Sequence, residues 1–160
     1  MEITTTPYST ALEHLADLEN YIGKELGLTD WVTITQDQIN TFAEATGDHQ
    51  WIHVDVERSK KQSPYKQTVA HGFLVLSLAS QFTYETFSIK DVVMGVNYGL
   101  DKVRFPNATP AGAKLRGRVS LMTYKTITGG ARYKVLVSFE IQGQTKPACV
   151  AEFIGQAYVG

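Results

Sequence analysis

The chain has 160 residues, 43% of them hydrophobic and 19% charged, with a formal net charge of −1. That length suits one domain with a buried core, and the composition excludes a disordered chain. With no basic surplus, nucleic acid and anionic membranes are not expected as the main partner, although local basic residues can still serve a small anionic ligand.

Cys149 is the only cysteine, so no disulfide can form within the chain, and a reducing, cytoplasmic setting fits. It sits in an alternating apolar run and reads as a small core residue rather than a nucleophile. No basic N-terminal segment leads into an apolar run, and no apolar stretch is long enough to span a bilayer. A soluble protein with no membrane span is expected. No repeat, low-complexity tract or linker divides the chain, so residues 1–160 read as one domain, with 1–30 as a helical N-terminal extension.

From Ser9 to Leu26, Leu12, Leu15, Leu18, Ile22 and Leu26 recur at helical spacing, and Gly27 is the expected stop. His14 falls on the outer face of this helix. Trp31–Thr35 reads as a short strand. Thr35 and Gln38 then match a capping box, opening a helix through Ile39, Phe42 and Ala43 that stops near Gly47. Ala70–Phe87 is apolar on nearly all sides at first, the pattern of a buried helix. Val92–Phe105, interrupted by Gly95 and Gly99, reads as a strand with bends.

The last third alternates with period two. Leu115, Gly117, Val119 and Leu121 share one face. Tyr133, Val135, Val137, Phe139 and Ile141 share another, as do Cys149, Ala151 and Phe153. Gly129-Gly130 is the expected hairpin turn between the first two runs. Three long strands of this kind make an antiparallel sheet with one apolar face, which the helix from Gly72 would cover. The fold class is α+β, a curved antiparallel sheet wrapped around a long central helix.

The chemistry concentrates in "TFAEATGDHQWIH", Thr41 to His53, where Asp48, His49 and His53 stand beside Trp51 and Ile52. Asp after a glycine is commonly a turn residue, and a lone His is commonly a hydrogen-bonded structural one. His49 and His53 have i,i+4 spacing, but Gly47 should end the helix before them. With no second Cys and no His-Glu-x-x-His, no metal site is expected. No serine lies in a Gly-x-Ser-x-Gly elbow.

"FAEATGDHQWIHVD", "VAHGFLVLSLAS" and "NYGLDKVRFPNATPAGAKLRGRV" together resemble the MaoC-like, (R)-specific enoyl-CoA hydratase family. "GDHQWIHVD" is most similar to its nodulation-protein-N-like branch. The resemblance runs from about Thr35 to Val159 and implies a hot-dog fold. The family motif has Asp, then His five positions later, in a Gly-Asp-x-Asn-Pro-(apolar)-His frame. Asp48 and His53 fall on that pair, whereas Gln50 stands where Asn is usual and Trp51 where Pro is usual.

What the resemblance implies is hydration of a trans-2-enoyl thioester. An Asp and a neutral His can hold one water and exchange protons near neutral pH. Gly72, opening the helix after His71, would offer its N–H to the thioester oxygen, and glycine lets substrate approach the backbone. Ser80 matches a supporting family serine, with Gln50 as a further support. Trp51, His71 and Arg104 are candidate substrate contacts. Arg104 would meet coenzyme A phosphates, with Lys102, Lys114, Arg116 and Arg118 as further candidates, while His71 reads more readily as a structural first-turn residue than as a pocket-lining one. The expected partners are an acyl-CoA substrate and a second copy in a homodimer, with no metal or redox cofactor and coenzyme A arriving as part of the substrate. An acyl-CoA thioesterase or a non-catalytic acyl-binding subunit on the same fold are the rivals.

Overall fold

The computed structural model describes residues 3–160. The N-terminal stretch departs from the predicted helix. It forms strand β1 (Thr10–Leu12), a 3-10 helix (Leu15–Tyr21) and strand β2 (Glu25–Leu28). Leu12, Leu15 and Leu18 are spaced by three, which suits a three-residue turn as well as an α-helix. Leu15 and Leu18 are buried. Gly27 is no helix stop but a strand residue, where a Cβ would meet the backbone oxygens of Tyr8 and Thr86 at 2.6 Å. His14 sits just before the 3-10 helix, exposed, with Nδ1 3.3 Å from Asp91 Oδ2.

Strand β3 is reduced to Val32–Thr33. Helix α1 (Gln36–Thr46) follows with its capping box formed: Thr35 Oγ1 accepts from the Gln38 N–H, and the Gln38 side chain accepts from the Thr35 N–H. It ends at Gly47, whose φ of 82° closes the helix in the left-handed region. Two short helices follow, α2 (Trp51–Val54) and α3 (Val56–Gln62).

The helix expected over Ala70–Phe87 is two helices, α4 (Gly72–Ser77) and α5 (Ala79–Thr86), joined at Leu78. Ser77 Oγ donates to the Leu74 carbonyl at 2.6 Å, diverting an acceptor from the helical ladder just before the break. Nor is the pair buried all round. Val75, Ala79, Phe82 and Thr86 form one buried stripe, whereas Phe73 and Tyr84 are 72% and 81% exposed.

Strand β4 (Phe87–Ile89) pairs in parallel with β1 as a separate two-stranded sheet. The main sheet is antiparallel. It is built from β5 (Val92–Arg104), β6 (Lys114–Ile127), β7 (Gly130–Ile141) and β8 (Cys149–Val159) in the order β2-β6-β7-β8-β5, with β3 also on β6. The β6–β7 turn lies one residue earlier than expected, because Ile127 pairs with Gly130 and Gly129 takes the positive φ. β5 bends as anticipated, with register shifts against β8, one of them between Asn97 and Gly99.

The predicted alternation holds. Leu115, Val119, Leu121, Val135, Val137, Phe139, Ile141, Cys149 and Ala151 face the core. α5 packs on β6 and β2, and α4 on β8. Phe82 is wholly buried, a gain of about 1.5–3 kcal/mol. It fits because β6 has Gly117 beneath it, where a Cβ would overlap the ring. Cys149 is buried, and burial pushes its thiol up to about 12.

Candidate active site

Three chain segments converge on one cluster: the loop after α1, helix α2, and the residues leading into α4. The left-handed Gly47 turns the chain out of α1. Asp48 Oδ1 then accepts from the Gln50 N–H at 3.3 Å, a side-chain turn that holds the loop. Gln50 caps α2 with backbone only, its carbonyl accepting from the His53 N–H at 3.0 Å. Gln36, in the first turn of α1, ties the segments together. Its amide N–H donates to the His53 carbonyl at 2.8 Å, and its oxygen accepts from Thr68 Oγ1 at 2.5 Å.

His53 is 7% exposed. Its Nδ1–H donates to the Val69 carbonyl at 2.7 Å, while the Val69 N–H donates to the Ile52 carbonyl at 3.0 Å. A carbonyl can only accept, so the proton is on Nδ1 and Nε2 carries a lone pair. Nε2 lies 4.0 Å from Asp48 Oδ2, and the Asp48 side chain is about half exposed. Burial is the largest influence on His53 and pulls its pKa below 6.5. The Val69 bond opposes this shift, the neighbouring His71 reinforces it, and Asp48 opposes it. At neutral pH the contact is therefore a neutral imidazole facing a carboxylate, not an ion pair.

His71 is 2% exposed and stacks on His53, ring centroids 3.9 Å apart, and the tilted Phe42 ring lies 4.8 Å from it. Its Nε2–H donates to the Asp48 backbone carbonyl at 3.0 Å. Gly72 comes next and opens α4, so its N–H has no helical carbonyl to bond. A Cβ there would meet the Phe105 ring at 3.2–3.4 Å. Gly72 and His53 share a cavity of about 220 Å³ with Ile52, Tyr65, Val69 and Phe105. Asp48, His53 and His71 also offer three ligand-type atoms within 4.8 Å of one another. The two rings are stacked at an interplanar angle of 25°, side by side rather than converging on a point. That suits proton exchange better than tetrahedral chelation.

The remaining sequence candidates are dispersed. Trp51 stacks under Arg58, its ring 4.3 Å from the guanidinium carbon. Ser80 lines a different groove, with Phe73, Asn97, Leu100 and Phe153. Arg104 is exposed and folds back to donate to the Val103 carbonyl at 2.7 Å, next to the cavity residue Phe105. Arg116 and Arg118 are engaged with Glu140 and Glu25 at 2.8–3.2 Å, and Arg116 also covers Trp31. They line a cavity of about 540 Å³ that shares no wall with His53. His49 is a loop residue 3.6 Å from Glu44. Sequence reasoning passed over Phe105 and Tyr65, each next to a proline, and Val69, which acts through its backbone and leaves no side-chain signal.

The antiparallel sheet packed against α4 and α5 is the hot-dog fold, with the Asp48–His53 pair close to the helix-opening Gly72. Residues 17–139 match the model of the MaoC like domain, and the chain belongs to that family. It is 46% identical over 143 residues to 3-hydroxyacyl-thioester dehydratase Z of Mycobacterium tuberculosis, covering 89% of this chain and 94% of that one. It is 43% identical over 144 residues to nodulation protein N of Rhizobium leguminosarum bv. viciae, covering 88% of each. Among solved structures, a monoamine oxidase regulatory protein from Archaeoglobus superposes with a TM-score of 0.74 at 20% identity, over 95% of this chain and 98% of that one. The R-hydratase PhaJ1 of Pseudomonas aeruginosa gives 0.71 at 20%, over 92% and 86%. At that identity these two speak for the fold alone.

Proposed function

We propose that this chain adds water across the double bond of a trans-2-enoyl-coenzyme A, and in reverse dehydrates the (R)-3-hydroxyacyl thioester. The observation that carries this reading is the 4.0 Å gap between His53 Nε2 and Asp48 Oδ2. Both atoms face the gap as acceptors. A water about 2.8 Å from each would present its hydrogens to them at an angle of about 90°. Its lone pairs then remain free to attack C3. As the C3–O bond forms, the C2=C3 electrons move onto the thioester oxygen as an enolate and one water proton passes to an acceptor of the pair, which then returns that proton to C2. The enolate oxygen that develops between these events is met by the Gly72 N–H, a donor fixed before the reaction begins.

The named activity of the 46% identical relative supports the same reaction class. The (R) sense follows the family resemblance and is tested by chiral analysis of the product. Nothing in the reaction calls for a redox group, and the Asp–His pair supplies the acid–base chemistry without a metal. Coenzyme A enters only as part of the substrate, with Arg104 beside Phe105 the nearest of the proposed phosphate contacts. A homodimer acting in the cytoplasm completes the reading. β5 is an edge strand with Val93 70% exposed and Tyr98 54% exposed, and a long apolar edge is stable when a second copy pairs with it.

The test uses crotonyl-CoA in two parallel assays. Loss of enoyl absorbance without release of free thiol is the expected result. Thiol release would make the chain a thioesterase, and neither signal would make it a non-catalytic subunit.

A further inference from the structure

His71 stands at the N-cap of α4, yet its side chain caps nothing there. It reaches instead to a carbonyl 23 residues back in the chain, that of Asp48. Because a carbonyl cannot donate, this bond fixes the proton on Nε2. Nδ1 is buried with no partner. The ring packs against His53 of α2 and Phe42 of α1, with the Asp48 loop at its Nε2.

Asp48 has little else to hold it. Its side chain is about half exposed, and its carboxylate accepts one hydrogen bond, that of the Gln50 N–H, among the described residues. The 4.0 Å gap therefore depends on where the backbone of the loop is anchored, and the anchor is His71. The same residue precedes Gly72, so one imidazole registers the carboxylate loop, the His53 ring and the N–H at the start of α4 against each other. Misplacing a reacting group by about 1 Å can cost about a hundredfold in rate.

We propose that His71 is a positioning residue. Its Nε2–H ties the Asp48 carbonyl to the His53 stack and sets the width of the gap that receives the water. This rests on the hydratase reading, and it assigns His71 to the protein's own framework rather than to contact with substrate.

The experiment compares His71→Phe, His71→Gln, Asp48→Asn and the double variant Asp48→Asn/His71→Phe with crotonyl-CoA. Phe keeps a ring on the stack and removes the donor. Gln places an amide N–H near where Nε2–H stood. For His71→Phe, kcat is expected to fall about tenfold to a hundredfold with KM within about twofold, since positioning acts on the reacting geometry. His71→Gln is expected to recover most of that loss. The double variant is expected to match Asp48→Asn within about twofold, because a misplaced carboxylate that is already absent loses nothing more. A folded His71→Phe with wild-type kcat, equal losses in Phe and Gln, or fully additive losses each overturn the proposal.

Nitrogen-15 NMR of the ring nitrogens of the wild-type protein covers the case in which the variants unfold. A proton on His71 Nε2, beside His53 with its proton on Nδ1, is expected. A His71 ring without a proton on Nε2 overturns the proposal. If the wild-type protein does not turn over any enoyl thioester, the hydratase reading fails, while the tautomer measurement still decides the role of His71 in the framework.

Discussion

Glu140 and His53 are both ionisable groups removed from most of their solvent, and their neighbours treat them in opposite ways. Glu140 receives Arg116 at 2.8 Å and Arg118 at 3.2 Å, and Arg118 continues to Glu25 at 3.0 Å. Burial pushes its carboxyl pKa up, but the guanidinium bonds outweigh that and hold it below 4.5. At His53 the same kind of burial is not compensated. Its free nitrogen looks across 4.0 Å at another acceptor, and the imidazole stacked on it carries a buried nitrogen with no partner. Matched charges make a brace, whereas acceptors left facing one another make a place for a proton donor. Placing both motifs in one domain lets stability and chemistry be separated by substitution.

The widest separation is expected from the pair itself. Asp48→Asn and His53→Ala should each lower kcat on crotonyl-CoA by at least about a hundredfold, with the double variant little worse than the poorer single one. Melting temperatures should stay close to wild type. If the melting temperature falls and kcat survives, the pair belongs with Glu140 as a brace. Gly72→Pro should cost about as much, roughly a hundredfold, because it removes the proposed N–H while proline is tolerated in a first turn. Gly72 is not among the positive-φ glycines, so the ring meets no left-handed backbone, and the Phe105 side chain has to give only slightly. Circular dichroism must report native structure before the kinetics are read.

Glu140→Gln should do the reverse. Breaking a partly buried Arg–carboxylate network should cost about 1–2 kcal/mol, discounted for the solvent that still reaches it. The value of kcat/KM should remain within about twofold of wild type. Urea denaturation paired with steady-state kinetics checks both halves, and a large kcat loss would join the two clusters into one functional unit.

The smallest effects are in pH. In the proposed reaction His53 is a lone-pair acceptor, so activity should be lost when Nε2 is protonated. With its pKa held below 6.5, the acid limb of kcat/KM should fall below pH 6.5. The same depression makes the unfolded chain take up that proton first, so stability begins to decline as pH drops below 6.5. Glu140 has a folded pKa below its unfolded value of 4.5. Its stabilising contribution is present above pH 4.5 and is lost as pH falls through the folded value. Two separate acid transitions are thus expected, and Glu140→Gln should blunt only the lower one.

The sequence was most readable where the signal is local. The Thr35–Gln38 box needs four residues, and the alternation in β6, β7 and β8 needs only a period, so both could be read directly. The N-terminal extension misled because leucines three apart satisfy a 3-10 turn, and the rest of the segment is drawn into a strand beside β6. The central helix was placed correctly at its start, but its interruption at Leu78, beside the Ser77 hydroxyl that folds back on Leu74, leaves no breaker residue to read. In the site, Asp48, His53 and Gly72 could be named from their motif. The Val69 carbonyl and the His71 tether could not, because backbone acceptors brought in by the fold carry no residue-type signal. Trp51 could be named as a candidate contact, but its stacking under Arg58 could not be read from the sequence.

The clasp between His53 and Val69 has one more consequence. An imidazole with both nitrogens open can act as a conduit, taking a proton at one edge and releasing it at the other. His53 has its far edge closed by the Val69 carbonyl at 2.7 Å, so it is a terminus instead. In the proposed reaction, what it accepts at Nε2 it must hand back at Nε2. Traffic with bulk solvent would then fall to the half-exposed Asp48, dividing the pair into an inner store and an outer gate for protons.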